Sequence, residues 1–441
     1  MKTKSYISIL FFLLLFSVNS FAQKLNTARL DSLLQILEAN NVFMGSVAIS
    51  QNGKILYSKA VGYADAESSV KSTAETKYRI GSISKMFTAA MIFKAVEEKK
   101  LTLDKTIDAY FPSVENAKKI TIGNLLNHRS GIHSFTDDSD YLSWCTQPKS
   151  VKEMVDIVAK GKSEFEPGSK AKYSNSNYIL LSVILEKTYK KPYSELLQSK
   201  IAKPLALRNT YLGSKINIDN KECFSYRFNE KWIKAMETDM SVPLGAGAVV
   251  SNPADLTLFI QELFAGKIIS QGSLKQMITM TENFGMGIFQ YPFYDMKLYG
   301  HTGGIDGFSS MLTIMPCDNV SVAVTSNGTS FSINTIMLNA LSSYYGKPFE
   351  IPSFKTIALS SEELDKYLGV YASSQLPLKI TITKNSNKLI AQGTGQQPFG
   401  LEAFDKNLFK GVNGMIVIEF KPVVGQMTLK QGGATFLFTR E

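Results

Sequence analysis

The chain has 441 residues, 44% of them hydrophobic and 20% charged, with a formal net charge of +10. That composition is globular, and the length admits two or three domains. Three widely spaced cysteines (Cys145, Cys223, Cys317) exclude a disulfide framework, and with three histidines and no Cys-x-x-Cys pair neither a metal site nor a cofactor is expected.

The N-terminus departs from this background. Lys2 and Lys4 precede an apolar run from Tyr6 to Phe16, and Ser20-Phe21-Ala22 places small residues at −3 and −1 of a cleavage site. Residues 1–22 are therefore expected to be a secretory signal cut after Ala22, too short to span a membrane stably, and the mature chain to be periplasmic or secreted. Its loss removes two positive charges. The remaining Lys and Arg form no concentrated stripe, so no nucleic-acid partner is expected.

Residues 30, 33, 34 and 37 are apolar at helical spacing. Val47, Ile49, Ile55 and Tyr57 alternate around Asn52-Gly53, which predicts a hairpin. A helix is expected from Ser82 to about Lys99, burying Met86, Phe87, Ala90, Met91, Phe93 and Val96. Residues 101–200 read as helices and loops, with a short helix ending at His128-Arg129-Ser130-Gly131 and a longer one from Tyr178 to Thr188. Gly131 is the expected left-handed cap, and His128 and Arg129 the bracing of that helix end.

From residue 284 the period shifts to two. Strands are expected at Phe284–Phe289, Phe308–Met315 and Val320–Ser326, with Tyr299 to Gly304 between the first two, and then a helix from Asn334 to Tyr345. Strands from both chain ends and helices from the middle make an α+β fold: one antiparallel sheet with a helical insert. Residues 351–360, containing Ile351-Pro352-Ser353, read as a linker, so residues 23–350 form one domain. Residues 361–441 read as a small all-β, barrel-like domain of short alternating strands.

Three polar clusters sit at element edges: Ser82 with Lys85, Tyr173 with Asn175, and His301-Thr302-Gly303-Gly304. A serine hydroxyl needs a base and an oxyanion site to act as a nucleophile. A tyrosine beside an ammonium can be that base, because the cation favours the phenolate. The glycines after Thr302 leave room for substrate along a strand edge.

Ser82-Ile83-Ser84-Lys85, Tyr173-Ser174-Asn175 and His301-Thr302-Gly303, in that order, resemble the motifs of the serine β-lactamase-like family, which includes class C β-lactamases, DD-peptidases and related esterases. Leu125-Leu126-Asn127-His128-Arg129-Ser130-Gly131, Pro167-Gly168 and Gly245-Ala246-Gly247 extend the resemblance over residues 40–345, and residues 360–441 resemble the lipocalin-like modules of some members. The resemblance implies a β-lactamase/transpeptidase-like fold. It makes Ser82 the acylated nucleophile, Tyr173 the general base, and Lys85 the cation that lowers the Tyr173 pKa. Asn175 would hold the substrate's carbonyl side, a partly charged His301 would line the far wall with Thr302 and Gly303, and the amides of Ser82 and Gly304 would form the oxyanion hole. The implied function is an exported serine hydrolase acting through an acyl-enzyme on an amide or ester: a D-alanyl-D-alanine carboxypeptidase, a D-amino-acid peptidase or an esterase. Its partner would be a small-molecule or peptide substrate, peptidoglycan-derived material included. Two alternatives remain open, a β-lactamase and a catalytically inactive envelope-binding relative. Gly304 lacks the hydroxyl with which members that bind a substrate carboxylate often hold it.

Overall fold

The computed structural model describes residues 25–229, 231–411, 416–431 and 434–441. The expected signal over residues 1–22 lies outside them. Six antiparallel strands form the main sheet, in the order Phe289–Phe293, Met296–Ile305, Phe308–Met315, Val320–Thr329, Phe43–Gln51, Lys54–Val61. The two ends of the hydrolase-like region meet where Val47 stands opposite Val324. Asn52 and Gly53 both take positive φ in the hairpin between the last two strands, as a two-residue turn requires.

Both faces of the sheet are covered, so its central strands are apolar on both sides. On one face the helices Thr27–Ala39 and Ile333–Tyr344 bury Leu33, Leu37, Ile336 and Leu341 against Val47 and Val324. On the other face, the helices Ser84–Glu97 and Pro253–Phe264 lead into the helical insert. There Phe87 and Phe259 stack with ring centroids 3.7 Å apart, in one cluster with Leu312, Ile314 and Ala323.

Two expectations for the sheet need correction. Residues 284–288 are not a strand, and the edge strand begins at Phe289. The stretch Tyr299 to Gly304, expected as a connection, lies inside the ten-residue strand Met296–Ile305. Glycine is depleted in strands, so three glycines in five residues hide the pattern. The structure uses them for close approach: a Cβ on Gly300 would lie 1.9 Å from the Leu312 carbonyl oxygen, and one on Gly303 would lie 2.0 Å from that of Ile80.

The C-terminal region closes into an antiparallel barrel of eight strands running from Gly369–Ala372 to Ala434–Arg440. The first of them, Gly369–Ala372, follows directly on a short helix and closes the barrel by pairing with both Lys379–Asn385 and Ala434–Arg440. Tyr367 fills the interior, its ring 4.9 Å from those of Phe409 and Phe420. The extended segment before the barrel lies along it, with the Ile357 amide donating to the Ala403 carbonyl at 2.8 Å and Leu359 buried in the barrel core. A further hairpin, Tyr226–Asn229 with Lys231–Lys234, stands apart from both sheets.

Gly303→Ala is expected to force the strand Met296–Ile305 away from Ile80 and to destabilise the protein by ~1–3 kcal/mol. Urea unfolding followed by tryptophan fluorescence checks it; an unchanged midpoint would mean that the strand is not pressed against this backbone.

Candidate active site

The nucleophile candidate sits at a sharp change of direction. After the short strand Tyr78–Arg79 the chain turns through Gly81 (φ +50°) into the 3-10 turn Gly81–Ile83 and the helix Ser84–Glu97. A Cβ on Gly81 would lie 2.7 Å from the Gly304 nitrogen. The turn preceding Ser82 is thus pressed against the Gly303-Gly304 edge of the sheet. Arg79 anchors it from behind: its buried guanidinium pairs with Glu237 at 2.8 Å and Asp306 at 3.1 Å and donates to the Thr238 and Ser214 carbonyls.

One turn after Ser82, Lys85 is fully buried, and its Nζ meets three oxygens. They are Ser82 Oγ at 2.9 Å, Asn175 Oδ1 at 2.8 Å and the Ala246 carbonyl at 2.7 Å. Among the described residues no carboxylate pairs with it, and burial alone holds its pKa well below the usual lysine value. The Ala246 carbonyl and the Asn175 amide oxygen can only accept. A neutral amine has two N–H donors for them and one lone pair left for the Ser82 hydroxyl proton.

Asn175, at the start of the helix Asn175–Tyr189, is clamped rather than free. Its Nδ2 donates to Thr136 Oγ1 at 2.9 Å and its backbone amide donates to Ser134 Oγ at 3.0 Å. Its amide oxygen orients Lys85 while the residue lines the cleft.

Tyr173 lies beside this group, with Lys85 Nζ 4.9 Å from its ring centroid. The expectation that Lys85 lowers the Tyr173 pKa is overturned. Burial pushes the phenol up, and its hydrogen bond with Ser82 offsets that only in part.

Sequence reasoning missed the group that holds Tyr173 in place. The short helix ends at Leu126, and His128, not only Gly131, takes a left-handed conformation (φ +59° and +76°). That conformation turns the His128 imidazole under Tyr173, where the two rings stack at 4.4 Å. His128 Nδ1 accepts from the Ser174 amide at 3.2 Å, and burial keeps its pKa well below the usual value. The signal available was a histidine just past a helix end, which reads equally well as a cap.

His301 is buried, not a partly charged wall of the cleft. Its Nδ1–H donates to the Thr302 carbonyl, its ring packs 4.8 Å from Phe289, and burial lowers its pKa to about 3. Thr302 is exposed, Gly303 touches the Ile80 carbonyl, and Gly304 faces the turn at Gly81. An open cleft of about 240 Å³ is lined by Ser82, Asn175 and Gly304 and also by Phe135, Tyr141, Arg227 and Met236. None of the last four stood out in the sequence.

A sheet carrying helices on both faces, with a serine at a helix start beside a buried amine, defines a serine-hydrolase architecture. Residues 33–336 match the family described as Beta-lactamase, and the chain belongs to that family. It is 28% identical over 273 residues to a teichoic acid D-alanine hydrolase of Staphylococcus aureus (strain MRSA252), a match covering 62% of this chain and 64% of that relative. It is also similar to the D-amino acid amidase from Ochrobactrum anthropi SV3, whose structure is complexed with L-phenylalanine amide. There the identity is 25% and the TM-score 0.62, covering 72% of this chain and 98% of the amidase. The octameric penicillin-binding protein homologue from Pyrococcus abyssi shares the fold over 94% of this chain and all of its own, with a TM-score of 0.68 at 23% identity.

Folded His301 takes a proton near pH 3, whereas the unfolded residue takes one near 6.5. The unfolded state therefore binds more protons between those values, and stability falls as pH drops through that window, by up to ~1.4 kcal/mol per pH unit. Urea midpoints of wild type and His301→Gln from pH 7 to 4 check this. The variant should show the flatter dependence, and parallel curves would refute the buried neutral imidazole.

Proposed function

We propose that the protein is an exported serine hydrolase that cleaves D-aminoacyl esters or amides through an acyl-enzyme on Ser82. The observation that carries the reading is the hydrogen-bond set of Lys85. With Asn175 Oδ1 and the Ala246 carbonyl accepting from Nζ at 2.8 and 2.7 Å, the same Nζ lies 2.9 Å from Ser82 Oγ, within reach of the hydroxyl proton whenever the amine is neutral. Ser82 Oγ attacks the substrate carbonyl as its proton passes to Lys85 Nζ. The backbone amides of Ser82 and Gly304 receive the developing oxyanion. Lys85, now an ammonium in a buried site, is a strong acid. It returns the proton, with the neutral Tyr173 hydroxyl as the relay to the departing alcohol or amine. Water then enters, gives up a proton by the same route, and releases the acid and Ser82.

The choice of D-aminoacyl substrates is supported by two relatives, one described as acting on teichoic acid D-alanine and one as a D-amino acid amidase. Export is supported by the basic, then apolar, then small-residue order of residues 1–22. The bound Ser82–Lys85–Asn175 set argues against a catalytically inactive binding protein, since such a protein has no need to keep a buried amine against a serine.

A fluorophosphonate probe should label wild type and leave Ser82→Ala unlabelled; equal labelling would sink the nucleophile assignment. With p-nitrophenyl D-alaninate, Lys85→Met should lower the acylation rate by about 10²–10⁴-fold, the usual worth of a positioned base. Tyr173→Phe should lower it by less. A larger loss in Tyr173→Phe than in Lys85→Met would restore the tyrosine as base.

A further inference from the structure

The cleft presents two ionised side chains to a substrate, Asp306 and Arg227. Asp306 is already committed. Its carboxylate is 1% exposed, its Oδ2 accepts from Arg79 at 3.1 Å, and its Oδ1 accepts from the Thr238 hydroxyl at 2.6 Å and the Thr238 amide at 3.1 Å. Arg227 is exposed, and among the described residues it forms no ion pair. Among the described residues its guanidinium is thus a charge of the cleft with no ion-pair partner.

The backbone that carries Arg227 is rigidly placed. Tyr226, the residue before it, is 1% exposed, and its hydroxyl donates to Asp65 at 3.2 Å and accepts from the Ala66 amide at 2.9 Å. Across the hairpin Trp232 lies over Gly328, where an added Cβ would come within 2.8 Å of its ring.

We propose that Arg227 is a specificity-determining residue that binds an oxyanion, carboxylate or phosphate, on the leaving-group side of the substrate. This rests on the D-aminoacyl reading above. The D-aminoacyl part carries an ammonium, which a guanidinium repels, so the anion belongs to the alcohol or amine that departs. A planar five-donor fork matches both oxyanions bidentately. Gly304 cannot supply a side-chain hydroxyl for such a group, and Arg227 takes over that task from a different element.

The test compares matched substrates. One pair is the D-alanyl ester of glycerol 3-phosphate and that of glycerol; the other is D-alanyl-D-alanine and D-alanyl-D-alaninamide. Wild type should favour the anionic member in kcat/KM, through KM, and the preference should shrink with added salt. Arg227→Gln should reduce the preference about tenfold, and Arg227→Lys should keep part of it. The pair with the larger Arg227-dependent preference identifies phosphate or carboxylate as the natural group. An equal preference in wild type and Arg227→Gln overturns the proposal. A second measurement needs no turnover: binding of glycerol 3-phosphate and of acetate to Ser82→Ala, with and without Arg227→Gln, by calorimetry. Loss of binding in the double variant supports the subsite, and binding that is unchanged or absent in both refutes it. If Ser82 is never acylated, the hydrolase reading fails while this measurement still decides the subsite.

Discussion

The interaction on which the rest of the site depends is the burial of the Lys85 amine among three neutral oxygens. Burying an ammonium without a counter-ion is costly, and a lysine escapes the cost by losing its proton. Burial accordingly pushes the Lys85 pKa well below the usual lysine value. Tyr173 and Tyr178 present ring faces to Nζ at 4.9 and 5.5 Å, and the hydrogen-bonding oxygens belong to a hydroxyl, an amide and a carbonyl. Each of those oxygens is itself held. The segment Gly245-Ala246-Gly247 is tied to the helix Ser84–Glu97 by Thr88, whose hydroxyl donates to the Gly245 carbonyl at 2.7 Å. The Val249 amide donates to Ser84 Oγ at 3.0 Å, fixing the strand that follows. The same low-dielectric interior lowers the pKa of His128 and His301, with the nearby Lys85 charge as a further cause at both.

Glycine does the complementary work on the backbone. The nucleophile turn, the sheet edge and the Gly245 segment converge within van der Waals contact. A Cβ on Gly81, Gly303 or Gly245 would lie 2.7, 2.0 or 2.7 Å from its nearest neighbour. Side chains there would separate the Ser82 and Gly304 amides from each other and Ala246 from Lys85. The Ser82 turn and the Gly304 edge are thus set backbone against backbone, and the Gly245 segment against the Thr88 side chain.

This division explains what could be read from the sequence. Ser82, Lys85, Tyr173, Asn175 and Gly304 were legible because a serine nucleophile demands a small set of partner types, and these occur in order. The helix Ser84–Glu97 and the strand Phe308–Met315 were legible by periodicity. The strand Met296–Ile305 was not, because its glycines serve approach rather than β-propensity. The direction of the Tyr173 shift was also hidden. It is set by burial of the phenol, which tertiary packing alone supplies. His128 and Arg227 lay beyond reach for the same reason: one acts through a stacked ring, the other through a hairpin whose place is set by tertiary contacts alone.

That hairpin also bears on the barrel. Arg227 faces the catalytic cleft, while the next two residues, Phe228 and Asn229, line a second cavity of about 560 Å³ with Phe331 of the hydrolase region and Gly400, Glu402 and Lys410 of the barrel. Side chains alternate across a strand, so Arg227 and Phe228 look into different spaces. Tyr226 ties the base of the ribbon to Asp65, and Trp232, next to its turn, packs over Gly328. Phe228 thus links the ribbon that carries Arg227 to the barrel wall across that cavity.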